Sequence, residues 1–232
     1  PDGANIVFVS ERSGNRDVWV MNADGTGLRN MTSDPSVDDN PNWSPDGQRI
    51  VFSSNRVGNV ELYVMNSDGS PADNGDRATR LTDHFAADTW PSYSPDGRFI
   101  AFHANRNSVN DDIYVLYNTL NEITRMTTTG GADQAPSWSP DGTKIAFSSF
   151  RDGNFEIYTM DFAFFPVSGP NQVNISNNTA ADGRPTWSFN GREICFMSNR
   201  GGSNDIWLMN ADGTNPRRLT DSPAVDDFCS IK

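Results

Sequence analysis

Five aspartates recur at nearly equal spacing along the chain, and carboxylates arranged in this way could bind a metal ion. They are Asp38, Asp88, Asp133, Asp182 and Asp226, separated by 50, 45, 49 and 44 residues. Repeats arranged around one axis would bring these carboxylates together, and like charges held close together raise each other's pKa values. A Ca²⁺ ion takes six to eight oxygen ligands in flexible geometry and would relieve the repulsion. The spacing therefore predicts an axial calcium site made of these five aspartates.

Arginines at a matching spacing support a second interpretation of the same acids. One arginine follows an apolar segment in each repeat, namely Arg12, Arg56, Arg106, Arg151 and Arg200. One arginine for each aspartate would neutralise the ring as a ladder of charge-assisted hydrogen bonds. A third interpretation is that each aspartate caps the amides of its own loop as an Asx turn. The sequence leaves these three hypotheses open.

Residues that break the repeat near the acids are candidates for ligand binding. They are His84, Phe85 and Trp90. Aromatic rings beside carboxylates suit a cationic ligand or a peptide, because ring faces and acids both attract positive charge. These residues predict a binding rim for a protein, a peptide or a small cation, with local packing as the alternative.

An enlarged loop between two strands carries a second group of non-repeated residues, Phe162, Phe164 and Phe165. Phenylalanines exposed together on a surface loop form an apolar patch of the kind that docks a partner or a second copy. The alternative is that the rings fold over their own repeat. The sequence leaves both possibilities open.

The motifs of common enzyme classes are missing from the sequence. The chain has no Gly-x-Ser-x-Gly segment, no Gly-Lys-Ser/Thr phosphate loop and only two histidines, His84 and His103. The five acids lie in near-equivalent environments, whereas an acid/base pair needs two pKa values that are pushed apart. The sequence thus favours a binding protein without catalytic residues. A glycan-binding or glycan-active protein is the alternative, because two carboxylates roughly 5 to 9.5 Å apart are enough for glycoside hydrolysis.

A repeated turn shows which elements position these residues. Pro-Asp-Gly begins at residues 1, 45, 95 and 140, and the variant Phe-Asn-Gly begins at 189. An apolar strand follows each turn, then a Gly/Asn loop, a second strand rich in aromatic and β-branched residues, a short third strand and a Pro-x-aromatic-Ser strand. The repeated unit is therefore predicted to be four antiparallel strands joined by hairpin turns.

Five such units of about 45 residues predict an all-β, five-bladed β-propeller that forms a single domain over residues 1–232. Residues 225–232 align with residues 37–44. The C-terminal strand is therefore expected to complete the N-terminal blade and to close the ring, which leaves no free sheet edge.

Composition narrows the range of partners. The net charge is −12 and the pI is near 4.4, which argues against nucleic acids, since phosphate binding needs clustered Lys and Arg. No apolar run approaches the roughly 20 residues of a membrane span. Cys195 and Cys229 lie on different predicted blades, so they are expected to be free, buried thiols rather than a disulfide.

The Pro-x-Trp-Ser-Pro-Asp-Gly pattern, followed by Ile-Ala-Phe, Asp-Ile-Tyr-x-Met and Leu-Thr, resembles the repeats of TolB-type β-propellers and of propeller domains attached to bacterial serine peptidases. The resemblance covers essentially the whole chain. It implies a propeller fold, a protein-binding role and a periplasmic or extracellular, secreted location. It also implies, as an alternative, a gating domain detached from a serine peptidase.

Overall fold

The computed structural model describes residues 2–71, 77–107, 109–164 and 167–230. Across these ranges the regular structure is entirely β, and no helix long and apolar enough to cross a membrane occurs in them. Five antiparallel sheets follow one another along the chain, and each sheet packs against the next. The protein is a five-bladed β-propeller, as the repeats predict.

Blade 1 contains three strands in the described residues. These are β1 (Asn5–Ser10), β2 (Asp17–Asn22) and β3 (Arg29–Asn30). Blades 2 and 3 each contain four strands. Their bounds are β4 (Asp38–Trp43), β5 (Arg49–Ser54), β6 (Glu61–Asn66) and β7 (Thr79–Arg80), then β8 (Asp88–Tyr93), β9 (Phe99–Ala104), β10 (Asp112–Tyr117) and β11 (Glu122–Arg125).

Blades 4 and 5 repeat the same order of strands. Blade 4 is made of β12 (Asp133–Trp138), β13 (Lys144–Ser149), β14 (Glu156–Asp161) and β17 (Val173–Asn174), with a small hairpin of β15 (Ala163–Phe164) and β16 (Val167–Ser168) inserted before β17. Blade 5 is made of β18 (Asp182–Trp187), β19 (Glu193–Ser198), β20 (Asp205–Asn210) and β21 (Arg217–Arg218).

Hydrophobic cores lie between neighbouring blades. In blades 2 to 5 the second and third strands are mostly buried, since their side chains meet neighbouring sheets; β9 and β10 of blade 3 are the most completely buried. Tyr93 of blade 3, for example, packs with Val51 and Leu62 of blade 2. The repeated aromatic residues are therefore packing residues, as the repeat suggests.

The predicted closure of the ring is wrong in the described residues. β1 pairs only with β2, and residues 221–230 form no strand. Instead of pairing with β1, Phe228 stacks on Trp90 of blade 3, at 5.8 Å between ring centroids. Ile231, also expected to pair with β1, lies outside the described residues.

The prediction of free cysteines is also wrong. Cys195 and Cys229 form a disulfide with 6.3 Å between their Cα atoms. The prediction assumed that Cys229 would lie in blade 1, far from Cys195 in β19. Because the C-terminal segment stays beside blade 5, the two residues come within bonding distance.

Candidate functional site

Four of the predicted acids begin the innermost strand of a blade, and their side chains are fully buried. Each carboxylate accepts a hydrogen bond from the arginine that follows the second strand of its own blade. The pairs and their N–O distances are Arg56 with Asp38 at 3.0 Å, Arg106 with Asp88 at 2.8 Å, Arg151 with Asp133 at 3.1 Å and Arg200 with Asp182 at 3.3 Å. We call these four pairs the Asp–Arg ladder.

The ladder also joins neighbouring blades. The backbone N–H of each aspartate donates to a loop carbonyl of the preceding blade, as from Asp88 to Val60 at 2.9 Å and from Asp133 to Asp111 at 2.8 Å. Each arginine lies over aromatic rings of its own blade, and Arg151 is 4.3 Å from the Tyr158 ring centroid. One pair thus connects two sheets and a stacked aromatic residue, which is an architectural role.

Burial raises the pKa of Asp38 and of Asp88, even though hydrogen bonds and the charge of the paired arginine act in the opposite direction. Pairing therefore does not fully offset the removal of these carboxylates from water. Buried ion pairs of this kind add little net stability, but they are damaging to break.

The five aspartates predicted to bind calcium are not gathered into one group of carboxylates in the described residues. Four of them bind their own arginines, and Asp226, which is only half-buried, belongs to the C-terminal segment. The described ranges contain no group of three His, Cys, Asp or Glu residues that could hold a metal ion. Calcium binding therefore stays a prediction, without a set of metal ligands among the described residues. The pairing of the four buried aspartates is the one that the arginine-ladder hypothesis expects.

A β-bulge in each innermost strand creates a different candidate site. The pairing of β4, β8, β12 and β18 with the next strand shifts register after the second residue. The third residue then has a positive φ: 52° at Asn40, 59° at Trp90, 51° at Ala135 and 55° at Arg184. A left-handed backbone is unfavourable for Trp and Arg, and such strained residues concentrate at functional sites.

Two of these residues meet across the channel. Trp90 belongs to blade 3 and Arg184 to blade 5, with blade 4 between them, yet the Arg184 guanidinium lies 5.2 Å from the centroid of the Trp90 ring. Blades that are not neighbours can meet only across the central channel. The His103 ring also lies near Trp90, at 6.1 Å between the ring centroids.

The C-terminal segment contacts both Arg184 and Trp90. Asp227 pairs with Arg184 at 3.0 Å, and Phe228 lies 4.6 Å from the Arg184 guanidinium while stacking on Trp90. We call Trp90, His103, Arg184, Asp227 and Phe228 the cross-channel cluster. An acidic residue followed by an aromatic one is thus recognised within the molecule itself.

His103 supports the cluster as a neutral side chain. Burial lowers its pKa to about 4. Its Nδ1 accepts from the Ala135 N–H at 3.2 Å, so the proton lies on Nε2, which donates to Thr89 Oγ1 at 2.8 Å. One main-chain and one side-chain hydrogen bond therefore hold the His103 ring in place, and the ring stays uncharged at neutral pH.

The predicted rim is only partly gathered into this cluster. Trp90 belongs to it, whereas His84 and Phe85 contact each other in the loop before β8, at 4.2 Å between ring centroids. Phe85 is 86% exposed. Sequence reasoning missed Arg184, Asp227 and Phe228. The available signal was their position, because the two residues after each repeated aspartate vary between the repeats, whereas a proline follows them in four of the five.

Of the loop phenylalanines, Phe162 packs against the hydrophobic core rather than projecting from the surface. Phe162 makes edge contacts with Trp138 at 4.6 Å and with Phe99 at 5.0 Å, and Phe164 contacts Phe99 at 5.5 Å. Phe164 is still 42% exposed, and Phe165 lies outside the described residues. Phe162 thus follows the alternative in which the loop rings fold back over the protein.

We expect Phe162→Ala to destabilise the protein by about 3 kcal/mol, because it removes a ring packed between two others. Phe85→Ala is the matched control and should change the stability by less than about 0.5 kcal/mol, since that ring is exposed. Urea unfolding of both variants measures the difference. Equal stabilities would show that Phe162 is a surface residue.

Comparisons with known proteins agree with this fold. The sequence model of the TolB β-propeller domain family matches residues 1–76 and 112–227 of this chain. The Tol-Pal system protein TolB of Anaeromyxobacter dehalogenans is 49% identical over 43 residues, which are 18% of this chain and 10% of that protein. The match thus spans only about a tenth of that relative.

Solved structures with the same fold cover nearly the whole chain. TolB from Acinetobacter baumannii superposes with a TM-score of 0.80 at 22% identity, covering 97% of this chain and 54% of that one. The β-propeller domain of the Trilobed protease from Pyrococcus furiosus, which has an open velcro topology, superposes with a TM-score of 0.65 at 12% identity, covering 100% of this chain and 72% of that one. The chain therefore spans about half the length of the TolB structure.

Proposed function

Because the chain belongs to the TolB β-propeller domain family, we propose that it is a non-enzymatic binding module for another protein. The cross-channel cluster is the proposed binding site. The observation that supports this proposal is the intramolecular contact of Asp227 and Phe228 with Arg184 and Trp90, from which we infer the peptide chemistry of the partner.

The chemistry of the partner follows from the charges and rings in the cluster. Arg184 offers a cation to a carboxylate, and Trp90 offers a flat ring to an aromatic side chain. Interface hot spots are enriched in Trp and Arg because these side chains combine large contact area with charge or stacking. The proposed partner therefore presents an acidic residue next to an aromatic one, rather than the small cation that the sequence suggested.

The relatives are named as proteins of the Tol-Pal system, and we propose a protein of such a system as the partner. The disulfide is consistent with an oxidising compartment, and we propose the periplasm or the cell exterior as the location. The glycan-binding and peptidase-gating hypotheses stay predictions, because no residue of the cluster favours either of them.

We expect the purified Pal protein of a Tol-Pal system to bind the immobilised chain. The substitution Trp90→Ala should weaken this binding by about 2 kcal/mol, which is roughly 30-fold in Kd. Arg184→Gln should weaken it similarly, and surface plasmon resonance measures both effects. Phe85→Ala is the matched control, an exposed aromatic residue outside the cluster that should leave Kd unchanged. Binding that tolerates both cluster variants would place the partner elsewhere.

A further inference from the structure

A small cavity of about 140 Å³ lies between the outer parts of blades 1 and 2. Met31 and Met65 form its apolar wall, and both side chains are buried. Arg56 and Arg77 line it as cations, and Asp34 lines it as an anion. A cavity of about 150 Å³ is large enough to bind benzene, so this one has room for a ligand of about five or six heavy atoms.

The cavity lies where the repeat places a very small side chain, that of Ala78 directly before β7. The strand registers give its counterparts in the other four blades, and all of them are larger. They are Leu28, Ile123, Gln172 and Pro216. Ile123, for example, packs against the hydrophobic core between blades 2 and 3. The short side chain of Ala78 therefore leaves the groove beside it partly unfilled.

The corresponding groove between blades 3 and 4 is filled by the carboxamide of Gln172. Its Oε1 accepts a hydrogen bond from Arg151 Nη1 at 2.8 Å. Its Nε2 donates to the main-chain carbonyls of Gly169 at 3.2 Å and of Met126 at 3.4 Å. A carboxamide thus bridges the ladder arginine of one blade and the outer strand of the preceding blade.

Between blades 1 and 2 the equivalent donor and acceptor are left open. Arg56 takes the place of Arg151 in the repeat, and it donates through Nε to Ser54 and through Nη2 to Asp38. Its Nη1 makes no hydrogen bond with any residue that the structure describes. The main-chain carbonyl of Met31, which takes the other place, likewise accepts none within the described ranges.

The formal charges around the cavity cancel. Arg56 and Arg77 bring two positive charges, whereas Asp34 in the wall and Asp38, the partner of Arg56, bring two negative ones. Hydrogen bonds from Ser36 lower the pKa of Asp34, so this carboxylate stays ionised at neutral pH. A neutral polar ligand is therefore favoured over an anion, which would be repelled by Asp34 and could not donate to a main-chain carbonyl.

We propose that the cavity between blades 1 and 2 binds a primary carboxamide with a short alkyl chain, the chemistry of a glutamine side chain. The amide oxygen accepts from Arg56 Nη1, the NH₂ group donates to the Met31 carbonyl, and the alkyl chain lies against Met31 and Met65. Gln172 makes the same arrangement within the protein between blades 3 and 4. The site is separate from the cross-channel cluster and goes beyond the function proposed for that cluster.

Titration of the ¹⁵N-labelled chain with propanamide, the glutamine side chain without its backbone, tests the proposal by NMR. We expect saturable shifts of the amide signals of Met31, Thr32 and Ala78. Propanoate has the same shape but carries a charge and has no N–H donor. It should bind at least roughly fivefold more weakly, the factor that corresponds to one lost hydrogen bond.

Ala78→Gln should abolish these shifts, because the new side chain occupies the cavity as Gln172 does in blade 4. Val173→Gln adds the same side chain at an exposed position of blade 4 and is the matched control, which should bind propanamide as the parent does. The proposal is overturned if propanamide shifts no signal at the cavity, if propanoate binds equally well, or if folded Ala78→Gln still binds. Should Ala78→Gln fail to fold, the comparison of the two ligands still decides.

A partner protein or a free small molecule could supply the carboxamide, and an acetyl-Ala-Gln-Ala peptide with an N-methylamide end distinguishes these sources. Tighter binding than that of propanamide assigns the site to a glutamine of a protein, and weaker binding assigns it to a free small amide. Both results support the carboxamide site. Neither depends on whether Pal binds the cross-channel cluster.

Discussion

Replacing Arg106 by glutamine is expected to destabilise the protein by about 3–5 kcal/mol at pH 7, because the variant leaves Asp88 buried without a cation. The Asp88 side chain is fully buried, and Arg106 contributes two of its nitrogens to that carboxylate. Urea unfolding followed by circular dichroism measures the loss.

The loss should shrink when the pH is lowered. Burial raises the pKa of Asp88 above its unfolded value, so its contribution to stability is fully present below the unfolded pKa and is lost as the pH rises through the folded pKa. Removal of Arg106 raises the folded pKa further. Acidification towards about pH 4, near the unfolded pKa of Asp, therefore favours the variant more than the parent protein.

Arg12→Gln is the matched control for this experiment. Arg12 lies over Phe8 and Trp19 as Arg106 lies over Phe102 and Tyr114, but no aspartate forms an ion pair with Arg12 among the described residues. Its replacement removes the stacking and the Nε hydrogen bond to Ser10 Oγ, together about 2 kcal/mol or less. It should show no comparable pH dependence. Equal losses from both variants would mean that the stacking, not the ion pair, determines the effect.

Removing the disulfide is the second large effect that we expect. Cys195 and Cys229 are 34 residues apart, and opening a loop of that length lowers the free energy of unfolding by about 3–4 kcal/mol in the chain-entropy model. A Cys195→Ala, Cys229→Ser variant should show this loss in urea, and the parent protein should show it when a thiol reductant is added.

Two controls accompany this measurement. The double variant should not respond to the reductant, because it has no cysteine left. The parent protein, unfolded without reductant, should incorporate no iodoacetamide at either cysteine. Labelling of both residues would show that the thiols are free and that no disulfide holds the C-terminal segment beside blade 5.

Much of the architecture follows directly from the repeat. The turn residues and the alternating apolar segments determine the strands because Asp-Gly and Asn-Gly favour the positive φ that tight hairpins need, as at Gly47 with φ 71°. The acid that begins the third strand of blade 3, Asp112, lies opposite an arginine of the same blade, and Arg125 binds it at 2.6 Å. These are interactions within one blade, where a short sequence contains both partners.

The fate of the repeated aspartates needed the tertiary structure. Equal spacing is compatible with carboxylates that converge on an axis and with carboxylates that bind their own arginines, since both arrangements obey the same symmetry. The burial of Asp38 and Asp88 beside Arg56 and Arg106 distinguishes the two. Spacing predicts position along the chain, but not the direction in which a side chain points.

The sequence by itself determined the blades, their number and the packing role of the repeated aromatic residues, because these depend on local pattern repeated five times. Only the tertiary structure decided where the C-terminal segment lies and which residues meet across the channel. Trp90, Arg184 and Phe228 belong to distant parts of the chain, and nothing in the local sequence of one indicates the others. Their contact depends on how far the five sheets curve around the axis, which is set by packing between blades rather than within them.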